Sequence, residues 1–255
     1  MTLLLDTLTW PAVRALVADG ETLCLLPLGA TEQHGRHLPL CTDSEIATAI
    51  CLAASERTGV PVLPTVTVTS SHAHSTKWPG TLSYPPRMVI EMLVELSRWV
   101  AAAGFGKLLI VNAHGGNVAP LGVAVDEIRR LGELQVGGVG WFALTPEIAS
   151  RTFADGEDVH ANAAETSLML HLRPELVDMN AIADDPDRTA GLVFSFPVDK
   201  MSVDGLTGAP SQASAEAGAE LFGLIADALV ERVERARRED PPSLERPDHD
   251  RPRAS

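Results

Sequence analysis

Residues 26–47, LPLGATEQHGRHLPLCTDSEIA, concentrate side chains that bind metals or move protons. Glu32 and His34 are two positions apart, so on an extended segment their side chains point the same way. Asp43 follows at the start of a helical pattern, where it could instead serve as a cap. Carboxylate oxygens and imidazole nitrogens are ligands for zinc, manganese or iron. Because a carboxylate can bridge two ions, the stretch is compatible with a two-metal site that activates water.

Histidines and acids also follow three other apolar runs along the chain. Run by run, they are His72 and His74 after 60–68, His114 after 107–112, and His160 with Glu165 after 134–141. Loops are polar in any protein, so a single histidine after a strand carries little information. Four clusters in corresponding places are better explained by one shared edge of a sheet.

The elements that would position these clusters alternate between strands and helices. Strands are predicted at 22–28, 60–68, 107–112 and 134–141, and helices at 43–57, 86–103, 118–130, 163–172 and 213–238. Two prolines place the run at 60–68 at the edge or end of a sheet. The alternation predicts an α/β fold with a largely parallel sheet covered on both faces. Ligand sites in such sheets lie at the carboxyl ends of the strands.

Length and charge limit the function classes. A chain of 255 residues with a formal charge of −14 fits one α/β domain, expected at 1–238, and argues against nucleic acid or an anionic membrane as partner. Three widely set cysteines imply no disulfide framework, so a cytoplasmic location is expected. The N-terminal segment has no basic leader, and no apolar run is long enough for a membrane span. Residues 239–255 are rich in proline and charge and are expected to be a disordered tail.

Five segments then form an ordered set. They are GATEQHGRHLPLCTD (29–43), WPGTLSY (78–84), NAHGGN (112–117), HANAAETS (160–167) and GLTGAPSQASAEAGAELF (205–222). Each resembles a motif of the creatininase family of metal-dependent amidohydrolases, and the segments follow the family's order. The first motif is long and specific, and the set spans most of the chain.

The resemblance implies a three-layer α/β/α sandwich with a mostly parallel central sheet and two divalent ions per chain, which would be zinc, manganese or iron. It also implies hydrolysis of a C–N bond in a small cyclic or linear amide, and assembly into a homohexamer or another homo-oligomer. Position by position, it makes Glu32, His34, Asp43 and His114 metal ligands, with Asp43 bridging. His160 matches the family's catalytic histidine, which would pass a proton to the departing nitrogen.

The sequence departs from creatininase itself at three positions. That enzyme has a Tyr-Glu pair directly after the histidine matching His114, and its glutamate is a ligand; here the pair is Gly115 and Gly116. It also has a tryptophan where this chain has Gly156. These changes put creatinine in doubt as the substrate and leave the second ion short of a ligand.

Glu165 is the expected replacement ligand, and it is also a candidate catalytic carboxylate. It stands five residues after His160, at the start of a predicted helix that faces the same edge. The alternative is that an acid in the first turn only stabilises the helix dipole.

Four further positions are candidates for substrate contact: His74, Trp78, Gly115 and Gly116. For His74 the alternative is a solvated loop, and for Trp78 it is a packed loop anchor. Backbone N–H groups near the two glycines would hold a developing oxyanion.

Two other functions remain open at this point. One is a peptidase of the type that trims the mycofactocin precursor, a branch of the same family. The other is a non-catalytic metal-binding relative, since a fold does not imply a function. Such a relative is expected to have lost part of the site, so the complete set of ligands and His160 favours an enzyme.

Overall fold

The computed structural model describes residues 3–74, 76–157 and 160–242. Its strands are β1 (Leu23–Leu28), β2 (Lys107–Asn112) and β3 (Gln135–Gly140). Its α-helices are α1 (Trp10–Ala18), α2 (Thr42–Thr58), α3 (Pro86–Ala102), α4 (Val118–Leu131), α5 (Pro146–Thr152), α6 (Ala163–Leu172), α7 (Val198–Met201) and α8 (Ala215–Arg238).

The three strands form a parallel sheet in the order β1-β2-β3. Leu28 at the end of β1 pairs with Asn112 at the end of β2, and Asn112 pairs with Gly140 at the end of β3. All three strands therefore deliver the chain to the same edge, as the alternation of elements predicted.

Helices cover both faces of this sheet. In β2, Leu109 and Val111 pack into a core with residues of α2, α6 and α8. Leu108 and Ile110 point the other way, into a core with residues of α3 and α4. The two-residue period of the strand thus separates two apolar layers, which confirms the three-layer α/β/α sandwich.

The regular strand predicted at 60–68 is wrong. Val62 and Val66 each form only a single parallel bridge to β1, although the segment runs beside that strand. Pro61 and Pro64 have no N–H to donate, so a continuous ladder cannot form along this edge.

The predicted helices are present, with boundaries displaced by no more than about two residues. α2 and α4 each end at a glycine in the left-handed region, Gly59 with φ 74° and Gly132 with φ 71°, where a side chain would be strained. The short helices α1, α5 and α7 were not predicted. They have too few turns for a clear 3.6-residue period.

The C-terminal end of α8 packs against the start of β2. Lys107 Nζ donates to the backbone carbonyls of Ala236, Arg237 and Glu239 at 2.7–2.9 Å. Residues 239–242 are exposed, whereas the rest of the expected tail, 243–255, lies outside the described residues. No helix in the described part of the chain is long and apolar enough to cross a membrane.

Candidate metal centre

Six predicted site residues converge at the carboxyl edge of the sheet. Glu32 and His34 follow β1, Asp43 lies in the first turn of α2, and His114 follows β2. His160 precedes α6 and Glu165 lies in its first turn. Each of the six is at most 6% exposed, so four separate segments bring their polar side chains into one buried cluster.

The donor atoms of this cluster lie close enough together to bind metal ions. Three groups have ligand atoms within 4.8 Å of one another: Glu32, Asp43 and His114; His34, Asp43 and Glu165; Glu32, His34 and His160. The first two groups share Asp43. A bridging Asp43 with one ion on each side is compatible with this arrangement.

The hydrogen bonds of His34 leave a lone pair that faces the carboxylates. Its Nδ1–H donates to the backbone oxygen of Glu32 at 3.1 Å, so Nε2 carries no proton in the neutral ring. That nitrogen lies 3.2 Å from Asp43 Oδ1 and 3.9 Å from Glu165 Oε2. A lone pair facing two carboxylates is favourable only when a cation lies between them.

His114 repeats this arrangement with the opposite ring nitrogen. Its Nε2–H donates to the backbone oxygen of Ser70 at 2.9 Å, which leaves the lone pair on Nδ1. Nδ1 lies 3.2 Å from Glu32 Oε1 and 3.4 Å from Asp43 Oδ2. Both histidines are therefore held with their free nitrogen toward the acidic cluster.

Unpartnered buried atoms support the fit to metal ions. Glu32 Oε2, His34 Nε2 and Asp43 Oδ2 are buried and have no hydrogen-bond partner among the described residues. An unsatisfied buried polar atom costs roughly 1–3 kcal/mol, and more when charged, so three together require an explanation. Two divalent cations would satisfy these atoms and offset the charge of the three buried carboxylates.

The protein field already favours positive charge at this place. Burial opposes the charged form of His34, yet the carboxylates of Asp43, Glu165 and Glu32 raise its pKa to about 10. Burial also opposes charge on His114, but Glu32 and Asp43 raise its pKa to about 9. The carboxylates attract a proton where a metal ion would bind.

Asp43 is not a helix cap. The residue preceding α2, Cys41, makes no side-chain cap hydrogen bond, and Thr42 Oγ1 donates to the carbonyl of Pro39. Asp43 points into the acidic cluster, where it lies within reach of both His34 and His114.

Glu165 makes hydrogen bonds at the N-terminus of α6 and also lies against the acidic cluster. Burial, with a smaller contribution from Asp43, raises its pKa to about 7, although His34 opposes the rise. Its Oε2 accepts a hydrogen bond from Ala161 N at 2.6 Å, and its own N–H donates to the N-cap Asn162 at 3.1 Å. A dipole charge on a solvated surface would need neither this burial nor the approach to His34.

Gly116 leaves no room for a side chain in this conformation. A Cβ at this position would collide with His114 Nε2 and with the carbonyl oxygen of Ser70 that His114 bonds. A Cβ at Gly115, in contrast, would meet nothing within 4 Å. A carboxylate at position 116 would therefore require the loop after β2 to follow a different path.

A cavity of about 270 Å³ opens beside the cluster. Its lining includes the predicted site residues Glu32, His74, His114, Gly115, Gly116 and His160. Trp78 is not among the described lining residues; it is half-buried, with Lys77 Nζ 4.5 Å from its ring centre. The cavity thus lies where a substrate would meet both the ligands and the two glycines.

Sequence reasoning missed several residues of this region. Ser71, Val198 and Met201 line the cavity, and the buried Ser71 Oγ has no hydrogen-bond partner among the described residues. Gln33 contacts two histidines. The position of Gln33 between two candidate ligands was the one available signal, whereas Val198 and Met201 are the first and last residues of α7, which no motif marks.

Comparison with known proteins agrees with this geometry. A family model described as Creatininase, creatinine amidohydrolase, matches residues 6–233. The mycofactocin precursor peptide peptidase of Mycobacterium ulcerans (strain Agy99) is 34% identical over 240 residues, which are 89% of this chain and 86% of the relative. The creatinine amidohydrolase of Pseudomonas putida is 29% identical over 254 residues, covering 92% and 96% of the two chains.

Solved structures share the fold. A crystal structure of creatinine amidohydrolase superimposes with a TM-score of 0.82 at 29% identity, over 95% of this chain and 99% of the other. A mutant creatininase of Zn–Zn type gives a TM-score of 0.82 at 26% identity, and a Mn creatininase gives 0.80 at 28%, each over 92% of this chain and 98% of the other. With a buried His, Asp and Glu cluster and a match over nearly its whole length, the chain belongs to the creatininase family of hydrolases.

Proposed function

We propose that the protein is a metal-dependent amidohydrolase that cleaves a C–N bond in a small cyclic or linear amide. The observation that carries this proposal is the buried convergence of three carboxylates and two histidines whose free nitrogens point at them. One ion would be held by Glu32, Asp43 and His114, and the other by His34, Asp43 and Glu165. When bound, such ions supply Lewis acidity and lower the pKa of water toward neutrality.

The chain's own residues then orient the substrate in the cavity. His160 presents its ring there and is assigned to the departing group, a role typically worth about 10²–10⁴-fold. Gly115 and Gly116 leave one wall without side chains, and the unpartnered hydroxyl of Ser71 offers a polar contact. Backbone N–H groups at the glycine turn are assigned to the developing oxyanion.

Trimming of a peptide C-terminus is the second candidate. It is favoured by the open space at Gly115, where an added Cβ would meet nothing within 4 Å, so this wall of the cavity can accept a substrate larger than a small ring. It is also favoured by the 34% identity to the mycofactocin precursor peptide peptidase. A purely metal-binding role is the least supported, because the proposed ligand set and His160 are all retained and buried.

The test is a substrate screen with the zinc- or manganese-loaded protein. It would include lactams, formamides and short peptides, each run also after chelation and after metal add-back. We expect turnover of at least one class, loss on chelation and recovery with metal. Full activity in metal-free protein would contradict the proposed metal-dependent hydrolysis. Turnover of peptides alone would favour the second candidate, trimming of a peptide C-terminus.

Assembly and location belong to the same proposal. We expect a homohexamer or another homo-oligomer, which light scattering would detect as a multiple of the 27.1 kDa chain. A cytoplasmic location remains an expectation; it is compatible with the free cysteines Cys24, Cys41 and Cys51.

A further inference from the structure

Gln33 lies between the two metal-ligand positions of the first motif and is itself only 3% exposed. Its Nε2 is 2.9 Å from His160 Nε2 and 3.1 Å from His74 Nδ1. Its Oε1 is 3.1 Å from the backbone nitrogen of Gly35. One side-chain amide thus contacts two rings and one backbone donor.

The contact with the Gly35 N–H distinguishes the oxygen of the Gln33 amide from its nitrogen. A backbone N–H only donates, so the atom facing Gly35 must be the amide oxygen. The same N–H also lies 3.2 Å from the carbonyl of Gly205. A Cβ at Gly205 would collide with the Gln33 amide, so the amide occupies a space that glycine leaves open. Both amide hydrogens are then on the nitrogen, one for each ring.

These two donors fix the protons of the rings. A ring nitrogen that accepts a hydrogen bond carries no proton, so neutral His160 is protonated on Nδ1 and neutral His74 on Nε2. Both protonated nitrogens lie near the same carboxylate oxygen. His74 Nε2 lies 3.3 Å and His160 Nδ1 3.6 Å from Glu32 Oε1.

The longer of these two distances has a chemical consequence. At 3.6 Å the His160 N–H is too far from Glu32 for a hydrogen bond, whereas His74 is near enough to steady that carboxylate. Both rings line the cavity. The His160 N–H, which Glu32 does not bind, is therefore available to a substrate held there.

We propose that Gln33 is a positioning residue that holds His160 as the Nδ1–H tautomer and His74 as the Nε2–H tautomer. His74 then orients Glu32, and His160 offers its N–H to the substrate. The catalytic consequence rests on the proposed function, whereas the tautomers do not. Residues that orient the groups around a metal typically matter by about 10–100-fold in affinity or rate.

The experiment uses two variants of Gln33, one that removes its side-chain donors and one that puts an acceptor in their place. Gln33→Met keeps the length and removes both donors, whereas Gln33→Glu places an acceptor against both rings. The readout is the ¹⁵N spectrum of histidine-labelled, zinc-loaded protein, which separates the two neutral tautomers; difference spectra with His160→Asn and His74→Asn assign the signals. Gln135→Met, at an exposed position of β3, is the matched control.

We expect the Nδ1–H form of His160 in the parent protein, a mixture in Gln33→Met and the Nε2–H form in Gln33→Glu. Bound zinc should remain near the parent level in Gln33→Met. With a substrate from the screen, kcat should fall about 10–100-fold in Gln33→Met with KM little changed. Gln135→Met should match the parent protein in every measurement.

An Nε2–H signal for His160 in the parent protein would overturn the inference. So would a Gln33→Met variant with the parent's tautomers and kcat. If the expected tautomers are found but no amide is hydrolysed, the proposed function fails and the assignment of Gln33 stands.

Discussion

In the loop after β2, a single position limits which residues could complete the candidate metal centre. Gly116 has no room for a carboxylate side chain, since a Cβ would meet His114 and the Ser70 carbonyl. Glu165, in contrast, is buried and its Oε2 lies 3.9 Å from His34 Nε2. A carboxylate from α6 is thus available where the β2 loop supplies none.

Replacing Glu165 by glutamine tests this exchange of ligands. The amide oxygen can still accept from Ala161 N–H, so α6 should remain folded. A neutral amide is a weaker ligand, so we expect bound metal to fall from about two ions per chain toward one, with a sharp loss of turnover. Metal content is measured by elemental analysis after dialysis.

Glu216→Gln is the matched control for that variant. Glu216 occupies the first turn of α8, is exposed and therefore has only the helix-dipole role. It should leave both metal content and turnover unchanged. If Glu165→Gln does the same, Glu165 is only a capping charge.

The paired variants Gly116→Ala and Gly115→Ala distinguish steric crowding at position 116 from the general effect of replacing a glycine in this turn. A methyl group at 116 would push against the His114 ring and its bond to Ser70, so we expect weaker binding of the ion held by His114, by about 10–100-fold. At 115 the added methyl meets nothing, and metal affinity should be unchanged. Competition with a chromophoric chelator measures both affinities, and equal affinities would contradict the steric argument.

At the scale of elements, the site is built where strands end and helices begin. β1 and β2 deliver Glu32, His34 and His114, while the first turns of α2 and α6 deliver Asp43 and Glu165. Side chains held by regular elements are positioned more accurately than those on free loops. This explains how five ligand candidates from four separate segments come within reach of one another.

The N-cap of α6 is expected to control both helix stability and metal binding. Asn162 accepts from the N–H of Glu165 and donates to the carbonyl of Thr152. Asn162→Ala should therefore cost about 0.5–2 kcal/mol of stability and also loosen Glu165, which lowers affinity for the second ion. Chemical denaturation and metal titration measure the two effects.

Ser214→Ala provides the comparison, because Ser214 caps α8 in the same way, away from the cluster. It should lose similar stability while binding metal normally. An equal loss of metal affinity in both variants would show that general loosening, and not the orientation of Glu165, is responsible.

At the scale of the whole molecule, the acidic cluster joins the ends of β1 and β2 to the first turns of α2 and α6. Elsewhere these elements contact one another through apolar side chains. Ions that bind only the folded state stabilise it by mass action, about 2.7 kcal/mol when their concentration is 100 times the dissociation constant. Chelation should therefore lower the melting temperature by roughly 5–10 °C, and zinc or manganese should restore it. In Glu32→Gln the shift should be much smaller; an equal shift there would place the responsible ion elsewhere.

The single-domain prediction has its own test at the C-terminus. We propose that residues 1–238 fold as one unit and that the remainder contributes little. Truncation after Asp240 keeps the Glu239 carbonyl that Lys107 contacts, so melting temperature and activity should change little. A large loss of either would show that the removed segment packs on this chain or on a neighbouring subunit.

Several features followed from the sequence alone because they are local. The apolar runs of β1, β2 and β3 and the helical periods of α2, α3, α4, α6 and α8 predicted the parallel sandwich, and the family model and solved structures confirm the resemblance that five motifs carried. The same resemblance implied the metal-ligand candidates, because ligand type is a property of single residues, and their role stays a prediction.

Tertiary structure decided what depends on neighbours distant in the chain. Only there does Glu165 approach His34, and only there does Gln33 reach two rings. Gly116 is likewise too crowded for a side chain because the distant carbonyl of Ser70 lies against it. The irregular edge at 60–68 also depends on pairing with a distant strand. Pro61 and Pro64 have no N–H to donate, so only single bridges to β1 form. Sequence periodicity shows which face of a helix or strand is apolar. A functional site depends on the distances between side chains from different elements, and a local sequence pattern does not contain those distances.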